Sequence, residues 1–166
     1  MEIGCSIQTP FGIWVLTTDG ERLTRFVPGT VSPGAKHDPQ HPLLKEASAQ
    51  LDAYFNGRLS TFSLPLSADG TPFQKAVWEQ LTRIPYGQTR TYGEIAAAIG
   101  RASAARAVGN ACGQNPLLIF IPCHRVIAVH GNGGYRAGPL AKAGLLTMET
   151  RYFAKAVDKA NKNHYT

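Results

Sequence analysis

The chain has 166 residues, 43% hydrophobic and 17% charged; that is enough apolar surface for one or two small packed lobes and excludes a disordered chain. No apolar run approaches the roughly 18 residues of a membrane span, Met1–Pro10 lacks a basic-then-apolar secretion pattern, and three cysteines exclude a disulfide scaffold. The formal charge of +6 is uneven, with residues 1–70 at −2, 71–148 at +6 and 149–166 at +2, so the second half has the footprint of a surface that meets phosphates.

The N-terminal part opens with a strand through Ile7–Leu16, a turn at Thr18-Asp19-Gly20 and a partner strand over Leu23–Phe26. Residues 28–42, rich in Pro, Gly, Ser and His, read as a surface loop. Leu44, Ala47, Leu51, Tyr54 and Phe55 recur at helical spacing until Asn56-Gly57. A short strand is expected at Phe62-Ser63-Leu64. Nothing here points to catalysis, and residues 1–70 are expected to form a sheet-plus-helix scaffold domain ending near Ala68-Asp69-Gly70.

Residues 71–166 are expected to form the second domain. Thr71-Pro72-Phe73-Gln74 is a capping box with Pro in the first turn, and Phe73, Val77 and Leu81 put one apolar stripe on the core side, with Trp78 beside it. Ile84-Pro85-Tyr86-Gly87 ends that helix. Thr91-Tyr92-Gly93-Glu94 is a second capping box that opens another, Gly100-Arg101-Ala102 turns the chain, and Ser103 is expected to cap a helix from Ala104 to Gly113. Two short helices joined by a Gly-containing turn make a helix-turn-helix. The second carries Ala104, Ala105, Ala107, Gly109, Ala111 and Gly113, with Arg106 projecting alone. So bare a helix either packs tightly inside the protein or lies against a minor groove, making few base contacts.

Chemistry concentrates in Asn115-Pro116, the apolar run Leu117–Ile121 and Pro122-Cys123-His124-Arg125-Val126. A lone cysteine after such a run is ordinarily a small core residue. A neighbouring His124 able to act as base, with Arg125 adding positive charge, changes that reading, because a buried Cys and His are costly unless used.

Pro122-Cys123-His124-Arg125-Val126 resembles the active-site signature of the O6-alkylguanine-DNA alkyltransferases, also called methylated-DNA–protein-cysteine methyltransferases. The likeness runs from about Phe73 to Glu149 through Ile84-Pro85-Tyr86-Gly87, Tyr92-Gly93-Glu94-Ile95-Ala96, Ala105-Arg106-Ala107-Val108-Gly109 and Asn115-Pro116; Thr9-Pro10-Phe11-Gly12 and Tyr54-Phe55 look like the family's N-terminal domain. It implies a mixed α/β (α+β) protein with a small sheet-plus-helix lobe followed by a mainly helical lobe. It also implies suicide transfer of an alkyl group from O6 of a flipped-out guanine, and from O4 of thymine, in double-stranded DNA.

Carried over by motif, Cys123 is the nucleophile, His124 its base acting through a water, Glu149 the residue that orients His124, and Asn115 the hinge behind the recognition helix. This is base-and-orienter logic, needed because a free thiol is only a few per cent thiolate at neutral pH. Tyr92 matches the tyrosine on the target phosphate and guanine N3, and Arg106 the arginine that fills the emptied stack. Val126, Tyr135 and the Arg136 backbone N–H belong to the guanine pocket. Thr91, Ser103, Ala104, Ala105, Ala107, Gly109 and Arg125 belong to the DNA face.

The chain departs from the family at Gly134-Tyr135-Arg136-Ala137-Gly138, where the family usually reads Gly-Tyr-x-Gly-Gly, and Gly144 interrupts the helix before Glu149. No cofactor is implied, since the lesion is the donor. Cys5, His37 and His41 fit no standard zinc spacing, so no metal is expected. Cys112 reads as a bystander thiol, and Arg151, Lys155, Lys159 and Lys162 as a solvated basic face. The implied protein is monomeric with cooperative loading on DNA open, works away from membranes, and is cytoplasmic, or nuclear in a eukaryote. Alternatives are a lesion-binding relative that flips guanine without transferring, argued against by the intact cysteine, and a redox-sensing regulator, argued against by the bare recognition helix.

Overall fold

Pro10 and Gly12 divide what the sequence reads as one strand. In the computed structural model, which describes residues 1–164, β1 (Ile3–Thr9) and β2 (Gly12–Thr18) are antiparallel, with Thr9 paired to Gly12 across a two-residue loop. Pro10 brings no N–H to a ladder, Gly12 takes a φ of +110°, and Thr9 Oγ1 accepts from Phe11 N–H and donates to the Gly12 carbonyl. The expected strand Ile7–Leu16 is therefore a hairpin. β3 (Leu23–Pro28) follows after the predicted 18–20 turn, and β4 (Lys36–His37) is a two-residue parallel addition inside the expected surface loop. The sheet order is β3-β2-β1-β4.

α1 (Pro42–Phe55) buries Leu44, Ala47, Leu51 and Tyr54 and stops at Asn56. Phe62–Leu64 is not a strand. Phe62 is drawn into an aromatic cluster, 5.3 Å from Tyr54 and 4.8 Å from Phe120 by ring centroids, and pairing with β3 begins only at the Leu23–Leu66 bridge. α2 (Pro72–Thr82) starts with both halves of the Thr71–Gln74 capping box. After β5 (Arg90–Thr91), Thr91 caps α3 (Tyr92–Ala98) by accepting from Glu94 N–H, but the Glu94 side chain does not bond back to the Thr91 backbone, so the expected capping box is only half made. α4 (Ala105–Gly113) departs from expectation: its N-cap is Ala104, without a side-chain cap bond, and Ser103 is exposed. The chain enters α4 through a turn closed by Ala104 N–H on the Arg101 carbonyl, so the helix begins one residue later than a Ser103 cap requires.

A 3₁₀ turn at Cys123–Arg125 leads into β6 (Val126–Ile127), which pairs in parallel with β5, and α5 runs Pro139–His164. The second expected domain extends two residues further, to Tyr165 and Thr166, which lie outside the described residues. Among the described residues no helix is long and apolar enough to cross a membrane. One contiguous core joins Trp14, Leu16, Phe26 and Tyr54 to Val77, Trp78, Val108 and Leu117–Ile121. The seam is also hydrogen-bonded: Phe26 N–H donates to Pro116, and Leu118 N–H to the Phe26 carbonyl. At a second crossing Phe11 packs against α5, where a Cβ on Gly144 would meet the Phe11 ring at 2.6 Å. Gly144 is the gap in the helix surface that admits the hairpin tip, and α5 continues unbroken through it.

Candidate active site

Asn115, fully buried at the end of α4, holds the next segment with both ends of its amide. Oδ1 accepts from Leu117 N–H at 2.9 Å, and Nδ2 donates to the Ile121 carbonyl at 2.8 Å and to Cys123 Sγ at 3.2 Å. Between these anchors Ile119 sits at φ +73°, a left-handed conformation costly for a β-branched residue. The buried apolar neighbours Leu117, Leu118 and Phe120 hold it there. The loop ends in the turn that carries Cys123 and His124.

Cys123 is 3% exposed. Burial pushes its thiol up to about 11, against the pull of the Asn115 hydrogen bond and the charges of Lys142 and Arg136. Ionising it at pH 7 then costs roughly 5 kcal/mol at 1.36 kcal/mol per unit, so the resting site holds a thiol. His124 is fully buried; desolvation lowers its pKa, only partly offset by Glu149. Its Nε2 lies 2.7 Å from Glu149 Oε2, while Nδ1 is buried without a hydrogen-bond partner. For Glu149, burial is the largest single influence and raises the pKa, yet the His124 and Arg125 contacts together hold it below the ordinary carboxylate value. An ionised carboxylate only accepts, so His124 Nε2 carries the proton and Nδ1 a free lone pair. The base has its tautomer set by Glu149.

Glu149 is also held by Arg125, whose Nε donates to Oε1 at 2.6 Å, and by Tyr54, whose hydroxyl donates to Oε2 at 3.3 Å. Arg125 is thus not on the DNA face where the sequence reading puts it. It is 7% exposed, with Nη1 on the Ile84 carbonyl at 2.8 Å and its guanidinium over the Tyr86 ring. A buried carboxylate requires a cation, and Arg125 supplies it.

Above the thiol lies a cavity of about 630 Å³, lined by Cys123, Tyr92, Arg106, Gly109, Tyr135 and Arg136 among others. Arg106 and Ala107 are exposed on α4 and Ser103 in the turn before it, while Ala104, Ala105, Gly109 and Thr91 are half-buried. The Tyr135 ring stands 6.3 Å from that of His124, and its hydroxyl is buried without a partner. The Arg136 side chain turns back, Nη1 donating to the Asn115 carbonyl at 3.2 Å. Val126 is fully buried and contributes its carbonyl rather than a pocket surface. Cys112 lines the same cavity, but burial pushes its thiol up to about 12.

Sequence reasoning missed two residues here. Lys142 is fully buried, with Nζ donating to the Val126 carbonyl at 2.6 Å and the Gly134 carbonyl at 2.9 Å, and 3.5 Å from Tyr92 Oη. It therefore ties the strand after Cys123 to the loop before α5. Two turns separate it from Glu149, and Leu145 shares the face, so helical periodicity does mark it as inward-facing. Tyr54 carries no such signal, because a tyrosine on an apolar helix face reads as packing. Among the described residues no cluster of three metal-ligating side chains occurs.

The chain is similar to known proteins over most of its length. Residues 5–68 match the family profile "6-O-methylguanine DNA methyltransferase, ribonuclease-like domain", and residues 72–151 match "6-O-methylguanine DNA methyltransferase, DNA binding domain". The constitutive methylated-DNA–protein-cysteine methyltransferase of Bacillus subtilis is 44% identical over 153 residues, covering 86% of this chain and 92% of its own. The solved O6-methylguanine methyltransferase of Mycobacterium tuberculosis superposes with a TM-score of 0.84 at 42% identity, covering 92% of this chain and 94% of its own. The Mycobacterium tuberculosis OGT structure in complex with DNA gives the same TM-score and identity over 90% and 94%. The chain belongs to the 6-O-methylguanine-DNA methyltransferase family.

Proposed function

We propose that this protein repairs double-stranded DNA by moving an alkyl group from O6 of guanine, and from O4 of thymine, onto Cys123 Sγ, once per molecule. The observation that carries the assignment is the pairing of a cavity-lining thiol with a neighbouring imidazole whose Nδ1 is free and whose Nε2 is tied to a carboxylate at 2.7 Å. α4 lies in the minor groove with Thr91, Ser103, Ala104, Ala105, Ala107 and Gly109 against the backbone. Arg106 takes the place of the extruded guanine, offsetting part of the unstacking cost. Most contacts are to phosphates, so affinity falls steeply with salt.

Inside the cavity Tyr135 walls the base, the Arg136 backbone N–H donates to O6, and Tyr92 donates to N3. His124 Nδ1 receives the Cys123 proton through a bridging water, and Glu149 stabilises the imidazolium that forms. Sγ then attacks the alkyl carbon. The S–C bond forms, the C–O6 bond breaks, and its electron pair leaves with guanine, which those donors stabilise until it is protonated. The thioether is not cleared.

Residues 1–70 act as scaffold and 71–166 carry DNA binding and transfer. The protein works away from membranes as a monomer, in the cytoplasm or, in a eukaryote, the nucleus, without cofactor or metal. Peptide mass spectrometry after mixing with an O6-methylguanine duplex tests the assignment. One methyl on the Cys123 peptide, stopping at one equivalent and absent in Cys123→Ala, is the expected result. Lesion binding without added mass overturns it in favour of a lesion binder.

A further inference from the structure

The Glu149 carboxylate, completely buried on α5, is held from two parts of the fold. His124 and Arg125 come from the 3₁₀ turn close by. The third donor, Tyr54, stands 95 residues away on α1, in the sheet-bearing lobe. Its hydroxyl reaches Oε2, the same oxygen that receives the His124 Nε2 proton. The Tyr54 ring is fully buried and boxed by Phe55, Phe62 and Tyr86 at centroid distances of 5.4, 5.3 and 6.2 Å, which fixes where the hydroxyl points.

We infer that Tyr54 is a positioning residue for alkyl transfer: its O–H keeps Glu149 ionised and aimed at His124, so that the N-terminal lobe supplies one donor of the base-orienting relay. The inference rests on Cys123 being the acceptor. A hydroxyl donated to a carboxylate favours the charged form, and the charged form fixes the His124 tautomer. Burial and the neighbouring carboxylate hold the Tyr54 hydroxyl well above its ordinary pKa, so it stays a donor throughout the working range. A tyrosine that merely filled space would be replaceable by phenylalanine without consequence for proton movement.

Glu149 faces His124 and Arg125 from the turn, which lower its pKa, and Tyr54 from α1 with Tyr86 and Tyr135 from the flanking loops, whose own hydroxyls its charge pushes up. Lys142, on Glu149's own helix, acts on the coupled His124. Of the tyrosines, only Tyr54 donates a hydrogen bond to the carboxylate among the described residues.

The test is the single-turnover rate of methyl transfer against pH for the whole chain, as wild type, Tyr54→Phe, and with 3-fluorotyrosine at position 54, which keeps ring and hydroxyl but makes a stronger donor. Tyr54→Phe is expected to move the acid limb up by roughly half a unit to one unit, and to slow transfer roughly three- to tenfold on that limb, the size of one hydrogen bond. DNA affinity should be unchanged. The fluorinated hydroxyl is expected to move the limb down, which also tests the inference should Tyr54→Phe fail to fold. Acid limbs that coincide with wild type in every folded variant overturn it. A wild type that transfers no methyl overturns the assignment of Cys123 instead.

Discussion

Glu149 serves His124 and Arg125 at once, and the two services separate by mutation. Glu149→Gln keeps the shape but leaves the Arg125 guanidinium, 7% exposed, without its counter-charge at 2.6 Å. Removing one partner of a buried ion pair costs about 3–5 kcal/mol, and for a chain of this size each kcal/mol lowers the melting temperature by about 2–4 °C. The expected loss is therefore of order 10 °C by calorimetry. The same change removes the acceptor that fixes His124, and loss of such an orienting carboxylate lowers the rate by roughly 10²–10⁴. Adding Arg125→Met removes the stranded cation and leaves an apolar side chain beside the Tyr86 ring. Stability in the double mutant should return most of the way, because the two residues are coupled, while the rate stays low, because His124 still lacks a carboxylate. If the second mutation restores rate and stability together, or restores neither, the division of labour around Glu149 is wrong.

Acid sensitivity follows from the same pair. His124 has its pKa lowered from 6.5, so the unfolded chain takes that proton first and stability falls as pH drops below 6.5 towards the folded value. Glu149 has its pKa lowered from 4.5, so its contribution is present above 4.5 and lost as pH falls through the folded value. Urea unfolding at pH 7.5, 6, 5 and 4 should give steadily smaller free energies, and a value constant down to pH 4 contradicts the burial of these groups. Lys142→Met leaves the Val126 and Gly134 carbonyls without their donor; it should destabilise by about 2–4 kcal/mol in urea titration and slow methyl transfer, since the strand after Cys123 loses its tie to the pocket loop. Ala137→Gly removes a methyl beside Arg136 at a half-buried position, and should raise the O6-benzyl rate relative to the O6-methyl rate in competing single-turnover assays. An unchanged ratio shows that this position does not limit the pocket.

The parts of the site legible in the sequence are those whose chemistry is local. Asn115, Cys123 and His124 lie within ten residues, and Asn-Pro, the apolar run and the Cys-His pair each announce a constraint on that one loop. The Thr71 capping box and the Asn56 stop were legible for the same reason, since a cap satisfies backbone groups within one turn. What failed depended on partners elsewhere in the chain. Arg125 reads as part of the DNA face because nothing near it in sequence reveals that α5 returns a carboxylate to it. Ser103 is a good capping residue, but the turn ahead of α4 starts the helix beyond its reach. Ile7–Leu16 read as one strand because β-branched residues flank Pro10 and Gly12 on both sides; the turn residues outweighed propensity. Gly144 looked like a weak point in α5, and the reason for it is a phenylalanine more than 130 residues earlier.

Three long-range contacts share a direction: each reaches from the N-terminal lobe towards the relay. Phe11 meets α5 at Gly144, five residues before Glu149; Phe26 exchanges backbone hydrogen bonds with the start of the Asn115–Cys123 loop; Tyr54 ends on the Glu149 carboxylate. A Cys-His-Glu arrangement buried this deeply cannot be oriented by solvent, and its own helical lobe supplies only part of the frame. The strained Ile119 persists because that frame over-determines it. Loosening the interface between the lobes should therefore show first in the ionisation behaviour of His124 and Glu149, and only later in DNA affinity, since α4 is braced by α2 and α3 of its own lobe.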